Sequence, residues 1–291
     1  GVIHTLDSIR ALLNMSQSRL QTSSSTHWLL CLPVSHVAGF SIVARSIILG
    51  NPITVLSKFN EIDVKNAALA GATHVSLVPT TLQRIDPTMF NTILLGGAAA
   101  PQNLPNNVVT TYGMTETSGG CIYNGTPLDG TEFEIDDLGV ISISSKSLAT
   151  TYLNDPKSWD EKIRNGYFVT TDLGYIEDGK LVVTGRSDDL IITGGENISL
   201  AEVERIVSTT FSGIDCAAFA VPDSQWGQSL QLAIAGDVKP EQSAINEYLS
   251  SQISKAAKVK NFLYVSQLPR TALGKIDRRK LAQLAAEANH G

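Results

Sequence analysis

Apolar positions in the first hundred residues fall into two alternating rhythms. Short β-branched runs at 28–32, 53–56, 74–78 and 92–95 read as strands, while 6–20, 40–49 and 64–70, with apolar residues three and four apart, read as helices. This alternation predicts βα units around a mostly parallel sheet. After Pro101 the texture changes to short strands broken by Asp129-Gly130, Asp137-Leu138-Gly139 and Asp178-Gly179, which predicts an antiparallel or barrel-like subdomain. Past Ser187 the pattern gives strand 190–193, helix 199–210, strands 216–221 and 230–235, helix 242–255, strand 262–265 and helix 278–288. Roughly 100 residues is an ordinary domain size. Ser199-Leu200-Ala201-Glu202 spells a capping box for the first of these helices. The expected fold class is therefore α/β: a large N-terminal domain, 1–186, of βα layers plus a small β-barrel-like subdomain, then a small α+β C-terminal domain, 187–291.

Composition narrows the function. The 291 residues are 43% apolar, enough for a sizeable core, and 22 Lys+Arg against 28 Asp+Glu give a net charge of −6. A mildly acidic chain without a dense basic run before Asp277-Arg278-Arg279-Lys280 lacks the attraction for phosphate backbone that nucleic-acid binders carry. Arg45 interrupts the longest apolar stretch, 37–49, so no integral membrane segment is expected. Cys31, Cys121 and Cys216 form neither a paired disulfide framework nor a CxxC metal spacing, which fits a reducing cytoplasm. The five histidines show no HExxH pattern, so a zinc site has little support.

Four stretches carry candidate chemistry. Thr110-Thr111-Tyr112-Gly113-Met114-Thr115-Glu116-Thr117-Ser118-Gly119-Gly120 combines hydroxyls, a carboxylate and glycines, so Thr115 is placed to donate to a phosphate oxygen and Glu116 to hold Mg²⁺. Alone, such a stretch is an ordinary turn. Upstream, Gly96-Gly97-Ala98-Ala99-Ala100-Pro101 leaves room for a flat ring against the backbone. Downstream, Asp172 and, 14 residues later, Arg186 supply an acceptor and a donor suited to ribose hydroxyls. Near the end, Thr271-Ala272-Leu273-Gly274 makes a loop that presents Lys275 to charge developing elsewhere. A lysine after a glycine is, by itself, an ordinary solubilising residue.

Taken in order, Tyr112-Gly113-Met114-Thr115-Glu116, Asp172, Gly185-Arg186-Ser187-Asp188-Asp189, Gly194-Gly195-Glu196-Asn197 and Gly274-Lys275 resemble the acyl-adenylate-forming superfamily over essentially the whole chain. Within it, Leu32-Pro33-Val34-Ser35-His36-Val37-Ala38-Gly39-Phe40 with Arg45 downstream is similar to the 2-succinylbenzoate–CoA ligase branch, in its short actinobacterial form. The resemblance implies an AMP-forming acid–thiol ligase of menaquinone biosynthesis that uses ATP, Mg²⁺ and coenzyme A. It implies adenine contacts from Gly97, Ala98, Tyr112, Gly113 and Met114, an α-phosphate contact from Thr115, Mg²⁺ on Glu116, and ribose contacts from Asp172 and Arg186. Lys275 would bridge the attacking carboxylate and the α-phosphate. The C-terminal domain would swing about a hinge at Asp188, replacing Lys275 with Gly194 and Gly195, which would wall the pantetheine channel.

For the acid, His36 would shape the acyl pocket and Arg45 would meet the second carboxylate, with Ser118 and Gly119 offering further donors. A satisfied core histidine and a snorkelling helix arginine are the plainer readings of His36 and Arg45. The superfamily's Ser/Thr/Gly-rich phosphate loop, ending in Pro-Lys-Gly, is missing. Gly1-Val2 resemble the residues just after it, so an upstream extension is expected. Two alternatives stay open: a ligase for another aryl or fatty acid, and an adenylate-binding module without turnover. The expected partners are a small-molecule acid, ATP and coenzyme A, with a homodimer as the assembly open to the chain.

Overall fold

Successive residues of the short strands in the first half of the chain face opposite helical layers. Trp28 and Leu30 enter one core cluster while Leu29 and Cys31 enter another, and Leu94 is separated in the same way from Ile93 and Leu95. A strand apolar on both faces is what a parallel sheet covered by helices requires. In the computed structural model, which describes residues 1–97, 100–101, 103–211, 213–236, 239–270 and 276–289, the chain divides into two units. The first is Gly1–Thr170 with Gly174–Val183; the second is Thr171–Leu173 with Thr184–Gly291.

The chain opens with β1 (Val2–Ile3), α1 (Leu6–Leu20), β2 (Trp28–Leu30), α2 (Val37–Leu49), β3 (Ile53–Val55), α3 (Glu61–Leu69), β4 (His74–Leu77), α4 (Pro79–Leu82) and β5 (Thr92–Leu95). It continues with β6 (Val108–Met114), β7 (Gly119–Tyr123), β8 (Thr126–Pro127), β9 (Thr131–Ile135), β10 (Val140–Ser145), β11 (Thr151–Tyr152), α5 (Pro156–Asp160), β12 (Ile163–Arg164), β13 (Tyr167–Glu177) and β14 (Lys180–Arg186). Among the described residues the largest sheet has the order β3-β2-β4-β5-β6-β7-β8, parallel from β3 to β6 and antiparallel beyond. The α1 and α2 side of this sheet buries Leu12, Met15 and Ile42; the α3 side buries Val64 and Ala67. Each such fully buried aliphatic side chain contributes roughly 1.5–3 kcal/mol.

The change of texture after Pro101 is thus a change of pairing within one sheet. Ile93 pairs with Val108, so β6 joins the parallel strands and carries β7 and β8 with it. The second sheet, β12-β13-β10-β9 with β14 on β13, starts only at β9. A two-stranded ribbon pairs Val2 with Tyr152 and Ile3 with Thr151.

The second unit adds β15 (Leu190–Thr193), β16 (Glu196–Ser199), α6 (Leu200–Thr210), β17 (Asp215–Asp223), β18 (Gly227–Ala235), α7 (Gln242–Gln252), β19 (Asn261–Val265) and α8 (Arg278–Asn289). β17 and β18 form its central hairpin, with β19 parallel to β18. Val203, Ile206 and Leu249 of α6 and α7 cover one face; Leu281 and Ala285 of α8 cover the other, against Ala217 and Phe219. Ser199 caps α6 by accepting the Glu202 N–H at 3.3 Å. The helix predicted to reach residue 255 stops at Gln252, because the Ser254 hydroxyl takes the Ala256 N–H and starts a separate 3₁₀ turn.

Candidate active site

β6 and β7 are joined by a turn tight enough to need glycine. A Cβ on Gly113 would stand 2.1 Å from the Gly119 carbonyl oxygen, far inside contact distance. Between the strands Thr115–Thr117 form one 3₁₀ turn. The Thr117 side chain closes it from inside: its Oγ1 accepts the Met114 N–H at 2.9 Å and reaches the Gly119 carbonyl at 2.6 Å. With Thr117 turned inward and buried, Thr115 is exposed and Glu116 half-buried.

Two residues, one in the β1–β11 ribbon and one directly after it, grip this turn. The His4 ring, directly after β1, has Nε2 at 2.7 Å from the Thr115 carbonyl and Nδ1 at 2.8 Å from the Ser118 hydroxyl. From β11, the Tyr152 hydroxyl donates to Glu116 Oε1 at 2.7 Å. Burial, followed by the hydrogen bond to the Glu116 carboxylate and its charge, pushes the Tyr152 phenol well above its ordinary range, so it stays a donor. The Glu116 backbone carbonyl accepts the Ala149 N–H at 2.8 Å. A single carboxylate fixed in this way suits Mg²⁺, which keeps several water and phosphate ligands and needs only one or two carboxylates. Among the described residues no group of three His, Cys, Asp or Glu is placed to hold a metal unaided.

Gly97, in the bend after β5, and Tyr112, within β6, each lie two residues past the Leu95–Thr110 pair of neighbouring parallel strands. Ligands of open parallel sheets bind outside these carboxyl ends. Gly113 and Met114 complete β6 toward Thr115, and Ala98 lies outside the described residues.

The residues expected to meet the acid are placed at different depths. His36 is the half-buried N-cap of α2, its side chain making no capping bond. Val37, next to it, comes within 3.9 Å of where a Gly119 Cβ would be, so the start of α2 packs against the end of the turn. Ser118 is buried, its hydroxyl shared between His4 and the Ser147 carbonyl at 3.0 Å. Arg45 is 3% exposed, which overturns the snorkelling reading. Its Nη2 donates to Ser16 Oγ at 2.6 Å and its guanidinium stacks 4.4 Å from the Trp28 ring centroid, while Nε and Nη1 have no hydrogen-bond partner among the described residues.

In the second unit Arg186 binds both oxygens of Asp188, each at 2.8 Å, and reaches Asp172 Oδ1 at 3.3 Å. These carboxylates, Asp188 foremost, hold the guanidinium pKa above its ordinary value. The two candidate ribose residues and the candidate hinge residue therefore form one ionic cluster. Gly194 has φ +59, and a Cβ there would meet the Trp226 ring at 2.8 Å; Gly195 has φ +82 with open space around it. Lys275 lies outside the described residues.

Burial pushes the thiols of Cys31, Cys121 and Cys216 up to about 12, so none is a ready nucleophile. A thiol acceptor would have to be a substrate.

The AMP-binding enzyme family matches residues 1–143, and the AMP-binding enzyme C-terminal domain matches residues 202–275. The chain is 33% identical to a probable 2-succinylbenzoate–CoA ligase of Mycobacterium tuberculosis, covering 99% of this chain and 82% of that protein. It is also 33% identical to the 2-succinylbenzoate–CoA ligase of Lactococcus lactis, covering 91% of this chain and 64% of that one. Among solved structures, o-succinylbenzoate CoA synthetase from Bacillus subtilis in complex with the acyl-adenylate intermediate OSB-AMP superposes with a TM-score of 0.87 at 27% identity. The same enzyme with ATP and magnesium ion gives 0.87 at 26%. Each of these two matches covers 97% of this chain and 66% of the Bacillus chain.

His4, Tyr152 and Trp226 were not legible as site residues. His4 meets the turn across 111 positions and Tyr152 across 36, and neither stretch carries a pattern that foretells the contact. The one available signal was an exposed-type Trp-Gly at a hairpin turn near a Gly-Gly pair.

Proposed function

The chain belongs to the AMP-binding enzyme family, and from that premise we propose that it is the ATP-dependent ligase that activates 2-succinylbenzoate and passes it to coenzyme A. A carboxylate oxygen of the acid attacks the α-phosphorus of ATP, the bond to pyrophosphate breaks, and an acyl-adenylate remains. The coenzyme A thiol, giving its proton to solvent, then bonds to the acyl carbon as the bond to AMP breaks. Charge repulsion protects a free carboxylate from nucleophiles, and conversion of its oxygen into a phosphate leaving group removes that protection. The product places the enzyme in menaquinone biosynthesis, as the resemblance of its motifs implies.

The observation that carries the reading is the turn at 115–118, with its exposed Thr115 and its braced Glu116, in a chain related over most of its length to ligases of this name. Thr115 is the donor to the α-phosphate. Glu116 holds Mg²⁺, which when bound neutralises charge on the ATP oxygens. Gly97, Ala98, Tyr112, Gly113 and Met114 line the adenine, and Asp172 and Arg186 hold the ribose. Lys275 supplies the cation between carboxylate and α-phosphate. Arg45 meets the second carboxylate of the acid, and this role is supported by two donors on a buried guanidinium that, among the described residues, have no hydrogen-bond partner and no carboxylate beside them. His36, Ser118 and Gly119 shape the acyl pocket at the junction of α2 and the turn. A cytoplasmic location belongs to the same reading, supported by three unpaired cysteines and by the lack of any helix, among the described residues, long and apolar enough to cross a membrane.

Incubation of the complete natural protein with ATP, Mg²⁺, coenzyme A and 2-succinylbenzoate, followed by mass spectrometry, is expected to yield AMP and the acyl-CoA in equal amounts. Equal turnover of benzoate or a long-chain fatty acid would point to another acid.

A further inference from the structure

We propose that His4 is a positioning residue for adenylation: its imidazole clamps both ends of the turn that presents Thr115 and Glu116. The Thr115 carbonyl is an acceptor only, so the 2.7 Å contact places a proton on Nε2 and leaves Nδ1 facing hydroxyls. Two hydroxyls reach it, Ser118 Oγ at 2.8 Å and Ser8 Oγ at 3.2 Å. The same Thr115 carbonyl also accepts the Ser118 N–H at 3.0 Å. One ring therefore ties residue 115 to residue 118, the first and last positions of the turn.

The clamp answers a conformational cost. Ser118 has φ +60, a left-handed conformation that costs a side-chain-bearing residue about 1–2 kcal/mol and persists only where the surroundings enforce it. The Ser118 hydroxyl, fixed by His4 and the Ser147 carbonyl, supplies that enforcement. His4 itself is held from both sides: Val2 and Ile3 pair with β11, and Thr5 caps α1 by accepting the Ser8 N–H at 3.0 Å. Tyr152, the partner of Val2 in that ribbon, orients the Glu116 carboxylate from the other side. A histidine serving only as part of the α1 cap would need its Nδ1 contact with Ser8 and no other. The contact between Nε2 and the Thr115 carbonyl spans 111 residues and belongs to the turn.

The inference rests on the ligase reading, and the test separates the two. In the complete natural protein, pyrophosphate exchange dependent on 2-succinylbenzoate is measured for wild type and for His4→Ala, His4→Asn and His4→Gln. The Gln amide can still donate to the Thr115 carbonyl, whereas Asn is too short to reach it. His4→Ala and His4→Asn are expected to lose about a hundredfold in kcat with KM for ATP changed less than threefold, since displacement of a reacting group by an ångström costs on this order. His4→Gln is expected to recover to within about threefold of wild type. Should His4→Ala fail to fold, the comparison of Asn with Gln decides. Exchange at the wild-type rate in His4→Ala or His4→Asn, or equal loss in Gln and Asn, overturns the role of His4 alone. Absence of exchange in wild type overturns the ligase reading, and the inference falls with it.

Discussion

At the scale of single residues, one indole in the first unit lies close to both a guanidinium and an imidazole. Trp28 lies 4.4 Å from Arg45 and 5.0 Å from His74, ring centroid to group. Burial, with the nearby Arg45 charge added, holds the His74 pKa down from 6.5 to about 4. Its folded pKa is depressed, so its contribution to stability is present above pH 6.5 and is lost as pH falls toward 4, where the unfolded chain takes up a proton that the folded one refuses. Between pH 7 and pH 5 the first unit is expected to lose about 2 kcal/mol from this group, at 1.4 kcal/mol per pKa unit. Urea titrations should show that loss, and His74→Gln should abolish most of it. Arg45 was legible as the lone cation of an apolar helix, but its depth depends on Ser16 and Trp28, neither of which is its neighbour in sequence. Arg45→Ala is expected to raise KM for 2-succinylbenzoate at least tenfold, the equivalent of one charge-assisted hydrogen bond. An unchanged KM would remove Arg45 from the acid pocket.

Secondary-structure elements were legible where their own apolar pattern decides them. Helix 6–20 and strand 92–95 stand where they were expected, and α2 begins three residues ahead of its apolar run because His36 adopts the extended N-cap conformation. Pairing partners were less legible, since β6 and β7 read locally as the start of an antiparallel subdomain while Ile93 draws β6 into the parallel sheet. The ribbon of β1 and β11, two residues a strand, carries no periodicity to read, yet it supplies Tyr152 and positions His4, the residue after β1, and these two brace the turn. Tyr152→Phe keeps the ring, which packs edge-on against Trp159 at 5.3 Å, and removes only the bond to Glu116. The expected outcome is an unchanged melting temperature with adenylation slowed about ten- to a hundredfold, the worth of one hydrogen bond to a charged group. Equal loss of stability and activity would make Tyr152 a packing residue.

For the whole molecule, the proposed function has two reactions that require two arrangements of catalytic groups, with Lys275 proposed for the first and Gly194 and Gly195 for the second. In the second unit Gly194 abuts Trp226, so Gly194→Ala drives a methyl into the indole and strains a left-handed backbone. Transfer from supplied acyl-adenylate to coenzyme A is expected to fall at least tenfold in this variant, with pyrophosphate exchange within about twofold of wild type. Lys275→Ala is expected to do the reverse, costing two to three decades in the first reaction through loss of one electrostatic donor. If both substitutions slowed both steps equally, the division of labour would be wrong.

Acyl-adenylate formation at the Thr115–Glu116 turn is the claim on which these expectations depend, and isotope exchange between pyrophosphate and ATP reads it without the second reaction. The complete natural protein is predicted to exchange label only when Mg²⁺ and 2-succinylbenzoate are both present, and Glu116→Gln to abolish the exchange. Exchange that proceeds without the acid, or that survives Glu116→Gln at the wild-type rate, would contradict the account.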